Sequence, residues 1–129
     1  MKIQTTVSLT VRTDLGHKTI LPGVRLRLGD QTSEHRFTED NEHHKLTVTS
    51  ELDAGDRWVS LEYMDDHDQQ GGVEVLSMFL QGDPIGMKMY QCEYTQWSTG
   101  ETKKSHTYMD KPGIWRINVG THGGSVGFV

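Results

Sequence analysis

Alternation of apolar and polar residues with a period of two is the feature that most restricts this chain. Ile3, Thr5, Val7, Leu9 and Val11 alternate with Gln4, Thr6, Ser8 and Thr10. Only an extended backbone sends such a stretch to a core on one face and to water on the other. Val24, Leu26 and Leu28 alternate with Arg25 and Arg27, Leu46 and Val48 with Lys45, Thr47 and Thr49, and Val59, Leu61 and Tyr63 with Ser60 and Glu62. Val73–Leu80 is almost continuously apolar and reads as a strand buried on both faces. Met87–Tyr94, Lys103–Met109, Ile114–Val119 and Val126–Val129 complete the set of candidate strands. Turn chemistry fills the gaps, as at Pro22-Gly23, Gly29-Asp30, Gly71-Gly72, Gly82-Asp83-Pro84 and Lys111-Pro112-Gly113. No stretch of about eleven residues holds a helical period. Glu39–Lys45 is polar all round and has room for one helical turn. The pattern predicts an all-β chain, a two-sheet antiparallel β-sandwich of jelly-roll type.

A length of 129 residues suggests one domain over 1–129, because two would each have too little core. Gly120–Val129 reads as a glycine-rich C-terminal tail whose apolar Val126, Phe128 and Val129 are candidates for contact with a neighbouring subunit. No apolar run approaches the ~20 residues of a helical membrane span, and MKIQTTVSLTV does not read as a leader. The net charge of −5, with no basic run longer than Lys103-Lys104, speaks against nucleic acid, whose binding draws on counterion release by clustered cations. The single cysteine, Cys92, has no internal disulfide partner, which points to a chain made in a reducing cytoplasm.

The sharpest polar cluster is Asp65-Asp66-His67-Asp68-Gln69-Gln70-Gly71. Its closely spaced carboxylates are hard oxygen donors of the kind calcium takes, so Asp65, Asp66 and Asp68 are candidate ligands; a solvated acidic loop is the other reading. An EF-hand is excluded, because Ser77 stands where the loop's closing Glu belongs and strands flank the segment. Among the seven histidines, His43, His44 and His67, with Asp40, are the candidates for zinc. Neighbours in a strand point to opposite faces, however, and no zinc spacing rule is met. No nucleophile elbow or phosphate-cradling loop occurs, and Cys92 next to Glu93 is better suited to a small core position than to nucleophilic chemistry. The chain is therefore expected not to be an enzyme. Trp97 lies in a polar turn, and Trp58 lies on the phase opposite Val59, Leu61 and Tyr63. Both are candidates for stacking on a sugar ring or for rim packing, whereas Trp115 between Ile114 and Ile117 reads as core.

Leu46-Thr47-Val48, Leu52-Asp53-Ala54-Gly55, Val59-Ser60-Leu61-Glu62-Tyr63, the acidic loop, Val75–Leu80, Gly82-Asp83-Pro84-Ile85 and Gly113-Ile114-Trp115-Arg116-Ile117 form a longer pattern. It resembles small jelly-roll structural proteins in the virions of large contractile-tailed phages. It is also similar to calcium-dependent xylan-binding carbohydrate-binding modules. The first resemblance implies a non-catalytic virion structural protein, a head decoration or a tail or neck accessory. Such a protein would be made in the host cytoplasm and held by other virion proteins in a homo-oligomer or lattice, without nucleic-acid or membrane contact. The second implies recognition of a host surface glycan, with Asp65 and Asp66 inheriting the role of calcium ligands that hold sugar hydroxyls. Asp-Asp-His-Asp departs from the Asn-Asp common in those modules, and a lone cysteine departs from their disulfide.

Overall fold

A computed structural model describes residues 2–14, 23–53, 55, 57–64 and 72–120. The strands are β1 (Lys2–Asp14), β2 (Gly23–Leu28), β3 (Gln31–Arg36), β4 (His43–Asp53), β5 (Trp58–Tyr63), β6 (Gly72–Leu80), β7 (Asp83–Pro84), β8 (Glu93–Gln96), β9 (Thr102–Lys104), β10 (Tyr108–Met109) and β11 (Gly113–Asn118). One 3₁₀ helix, Gly86–Gln91, precedes β8. Among the described residues no helix is long and apolar enough to cross a membrane.

Two antiparallel sheets form a β-sandwich. One has the order β10-β6-β1-β4 with β7 paired to β6, and the other has the order β3-β2-β5-β11-β8-β9. The chain changes sheet repeatedly, so neither sheet is built from consecutive strands alone, as in a jelly roll. The alternation read from the sequence sets the inward faces. Val7, Leu9 and Val11 of β1 sit opposite Val48, Leu46 and His44 of β4, and they join Leu26, Leu61, Tyr63, Tyr94, Trp115 and Ile117 of the other sheet in one buried cluster. Trp115 is fully buried, as its position between isoleucines predicts, and Cys92 is a buried free thiol. Burial is the main cause that raises the Cys92 thiol pKa, which suits a core residue rather than a nucleophile.

Local differences from the sequence pattern have physical reasons. The segment Met87–Tyr94 is not one strand, because the 3₁₀ helix buries only Met89 and leaves Met87 and Tyr90 in solvent. Hydrogen bonds from Lys88 N to Ile85 O and from Cys92 N to Met89 O close its turns. Strand β6 is not buried on both faces: its register against β1 shifts between Thr10 and Val11, and Leu76 is left exposed. His43–Lys45 belong to β4 rather than to a helical turn, because pairing with β1 runs on as far as Arg12↔His43. Polar β3 carries no apolar alternation; the hairpin partner β2 holds it through the Gly29-Asp30 turn, where Gly29 takes φ +61°.

Gly113 carries a different constraint. It begins β11 between Tyr63 of β5 and Gln96 of β8, and an added Cβ would overlap the Thr95 carbonyl and crowd the Tyr94 ring. The Gly113→Ala substitution should therefore force two paired strands apart and cost about 2 kcal/mol or more, measured as a lowered midpoint in urea unfolding with m unchanged.

Candidate functional site

Asp65, Asp66 and Asp68, like Val126, Phe128 and Val129, lie outside the described residues. The acidic segment leaves from Met64, just past β5, and rejoins the fold at Gly72, where β6 begins. The two aromatic candidates are both exposed, Trp58 at 45% and Trp97 at 50%. They do not form one platform. Trp58 pairs with Asn118 at one end of β11, whereas Gln96, next to Trp97, pairs with Gly113 at the other. Five residues of extended strand separate the two levels by about 17 Å. Trp97 shares its end of the sheet with Tyr63 and hence with the departure of the acidic segment.

At the Trp58 end a pocket of about 350 Å³ is lined by Gly29, Leu52, Asp53, Arg57 and Trp58. Glycine at the β2–β3 turn is part of what keeps it open, since a Cβ on Gly29 would press on Leu52 and Ser50. Asp53 reaches the pocket from the end of β4, where Lys2 pairs with it at 3.3 Å in solvent. Arg57 forms the wall, only 2% exposed, and its Nη1 donates to Thr5 Oγ1 at 2.7 Å. Among the described residues its Nε and Nη2 meet no acceptor. Sequence alternation did not point to Arg57, because nothing in a polar turn residue signals burial.

Trp58 stands on the outward face of the second sheet, where the Arg116 guanidinium lies 4.6 Å from its ring centroid. Arg116 Nε donates to Glu93 Oε1 at 2.5 Å, and Lys104 Nζ donates to Glu93 Oε2 at 2.5 Å. Arg116, Glu93 and Lys104 stand side by side on β11, β8 and β9, so register alone places this charged row. The row fixes the cation against the indole and so orients the exposed ring. The Lys104 hydrogen bond, then that of Arg116, holds the Glu93 carboxyl below its ordinary value, and together they outweigh burial. A second row, Glu34, Arg25, Glu62 and Arg27, alternates charge across β3, β2 and β5.

At the far end of β4 from the pocket, His35, Glu42 and His44 come together. His35 Nε2 lies 2.6 Å from Glu42 Oε2, and the rings of His35 and His44 stack with centroids 3.5 Å apart and planes within 4°. The Thr38 backbone N–H donates to Glu42 Oε1 at 2.8 Å and is the largest influence holding the carboxyl down to about 2. Burial, followed by neighbouring His35, lowers the His44 pKa and favours the neutral ring. As expected for strand neighbours, His43 and His44 take opposite faces. His43, an anticipated zinc candidate, is exposed and stands outside the cluster, whereas Glu42 and His35 were not anticipated. Asp40 also stands outside it, and His67 lies outside the described residues. The missing signal was the sheet crossing between β3 and β4, which no local spacing encodes.

No protein-family model matches the sequence, and no curated protein matches it. Among solved structures the fold is similar to that of vCBM60, one of the calcium-dependent carbohydrate-binding modules, with a TM-score of 0.60 and 14% identity over 88% of this chain and 90% of that chain. The chain therefore has a β-sandwich fold shared with a carbohydrate-binding module, and at this identity the likeness is one of fold.

The charged row beside Trp58 has a pH signature. A carboxylate with a lowered folded-state pKa stabilises the folded chain above its unfolded value, ordinarily 4.5, and the contribution is lost as pH falls through the folded value. Glu93→Gln should lower the melting temperature at neutral pH and flatten its decline as the pH falls below 4.5, as thermal melts across pH would record.

Proposed function

We propose that this chain is a non-catalytic carbohydrate-binding β-sandwich in which a sugar ring stacks on Trp58 across the pocket at the β4–β5 end. The observation that carries this reading is an exposed indole, held by Arg116, at the mouth of a pocket of about 350 Å³ with Asp53 beside it. That volume suits a small ligand. The apolar C–H face of a pyranose packs on an aromatic ring, and a carboxylate accepts hydrogen bonds from neighbouring hydroxyls. The likeness of fold to a carbohydrate-binding module adds support.

A calcium-dependent form of the same function is favoured by the description of that neighbour and by the donor set of the acidic segment. Asp65, Asp66 and Asp68 would hold the ion through hard oxygens, and calcium would supply a cation to which vicinal sugar hydroxyls bind. Trp97 belongs to that end of the sheet. The virion role expected from the sequence has no observation of its own in the fold or in the similarity.

Screening on a glycan array, followed by affinity electrophoresis in xylan and in any other glycan retained, tests both forms. Trp58→Ala should weaken binding roughly 10-fold or more, as loss of a buried aromatic contact does, while Trp97→Ala leaves it intact. Loss on Trp97→Ala, with EDTA or Asp66→Ala reproducing it, would move the site to the acidic end. Absence of any retained glycan, with or without calcium, would overturn the carbohydrate reading.

A further inference from the structure

We infer that His35, Glu42 and His44 form a binding site for a divalent d-block cation of the zinc, cobalt or nickel type, which clasps the two sheets at their open edge. His35 lies on β3, an edge strand of one sheet, and His44 lies on β4, an edge strand of the other. The registers Val24↔His35 and Val11↔His44 put each histidine opposite an inward valine, so both rings point into the gap between the sheets. The connection from Phe37 to Glu42 crosses that gap and delivers the carboxylate. The donor atoms of all three residues lie within 4.8 Å of one another, the scale of a single coordination sphere after small side-chain rotations.

The surroundings prepare the carboxylate rather than the whole cluster. Glu42 Oε1 is taken up by the Thr38 N–H at 2.8 Å and its hydroxyl at 3.1 Å, which leaves Oε2 turned towards His35. Such outer hydrogen bonds orient metal-bound carboxylates. Thr13 secures the crossing from β1: its Oγ1 donates to Glu39 O at 3.0 Å and accepts from Glu42 N at 2.9 Å. The side chains of His35 and Glu42 are 22% and 15% exposed, so an ion can enter from solvent and the imidazoles can tilt out of their stack to converge on it. An ion would take the place of the proton shared by His35 and Glu42, leaving at least one position for water.

Donor chemistry names the class of ion. Two imidazole nitrogens and one carboxylate suit zinc and its neighbours, whereas calcium and magnesium call for oxygens throughout. This site is therefore separate in ion and residues from the calcium expected on the acidic segment, and it holds or fails independently of sugar binding. The bland alternative is a His–Glu hydrogen bond that only braces the corner.

The test is titration of the full chain, without a histidine tag, with Co²⁺ and Zn²⁺ in the presence of excess calcium. One equivalent of Co²⁺ should give a visible d–d absorption displaced by Zn²⁺, and Zn²⁺ should raise the melting temperature. His44→Gln and Glu42→Gln should each weaken Zn²⁺ binding roughly 10-fold or more, while His43→Ala leaves it unchanged. Should either substitution prevent folding, hyperfine-shifted imidazole signals assigned to His35 and His44 in the Co²⁺-loaded native chain carry the same information. Absence of a stoichiometric band, or a band and a stabilisation that survive His44→Gln or centre on His43, would overturn the site and leave a structural hydrogen bond.

Discussion

Apart from polar β3, every described strand of six residues or more has one face it can bury, and the rest of the structure depends on bringing those faces together. A sheet with Val7, Leu9 and Val11 on one side and Thr6, Ser8 and Thr10 on the other has no stable existence alone; it needs a second apolar layer about 10 Å away. The chain meets this by crossing between sheets, which gathers Trp115, Tyr94, Tyr63 and Phe37 into the same core as the aliphatic rows of β1, β4 and β6. Because the crossings occur at the ends of the sandwich, residues of different strands and of both sheets meet there. The pocket around Trp58 and the histidine cluster are both products of such crossings.

The outer faces are organised differently. Thr6 and Thr49 share a hydrogen bond at 2.9 Å, as do Ser8 and Thr47, so the middle of the outer side of the β1–β4 pair is hydroxyl-rich, with charged residues such as Lys45 and Glu51 on either side of it. The outer side of the second sheet is ionic, with Glu93 bridging Arg116 and Lys104 and with Arg25 and Arg27 around Glu62. Exposed ion pairs contribute little to stability one at a time, but a row that includes a buried carboxylate fixes side-chain positions. Here it fixes the cation that lies against Trp58, which links the packing of an outer face to the orientation of the exposed ring.

Burial of charge marks the two ends. Arg57 lies inside the wall of the pocket with a single side-chain hydrogen bond among the described residues, to Thr5. A guanidinium in that position is stable only where its surroundings compensate the lost hydration. Glu42 at the opposite end is the contrasting case, a carboxylate whose oxygens are engaged by Thr38 and His35. Two ends of one sandwich thus carry different chemistry, an aromatic-lined pocket at one and a nitrogen–oxygen donor set at the other, about 30 Å apart along β4.

Much of this was legible in the residues. Alternation identified β1, β2, β4 and β5 and placed Trp58 outward, because an extended backbone sends neighbouring side chains to opposite faces; the flanking isoleucines marked Trp115 as core, and turn chemistry marked Gly29-Asp30. Strand β3 and the 3₁₀ helix were not legible. The first is polar and held by its hairpin partner, and the second is a turn whose only burial is that of Met89. The separation of Trp58 from Trp97, the burial of Arg57 and the meeting of His35 with Glu42 and His44 were decided by tertiary structure alone. Each depends on which strands pair, in what register and across which crossing. By itself the sequence determined that the chain is β and which face of each alternating strand turns inward. Where the ends of those strands meet is settled by how the two sheets pair and pack, and both candidate sites lie there.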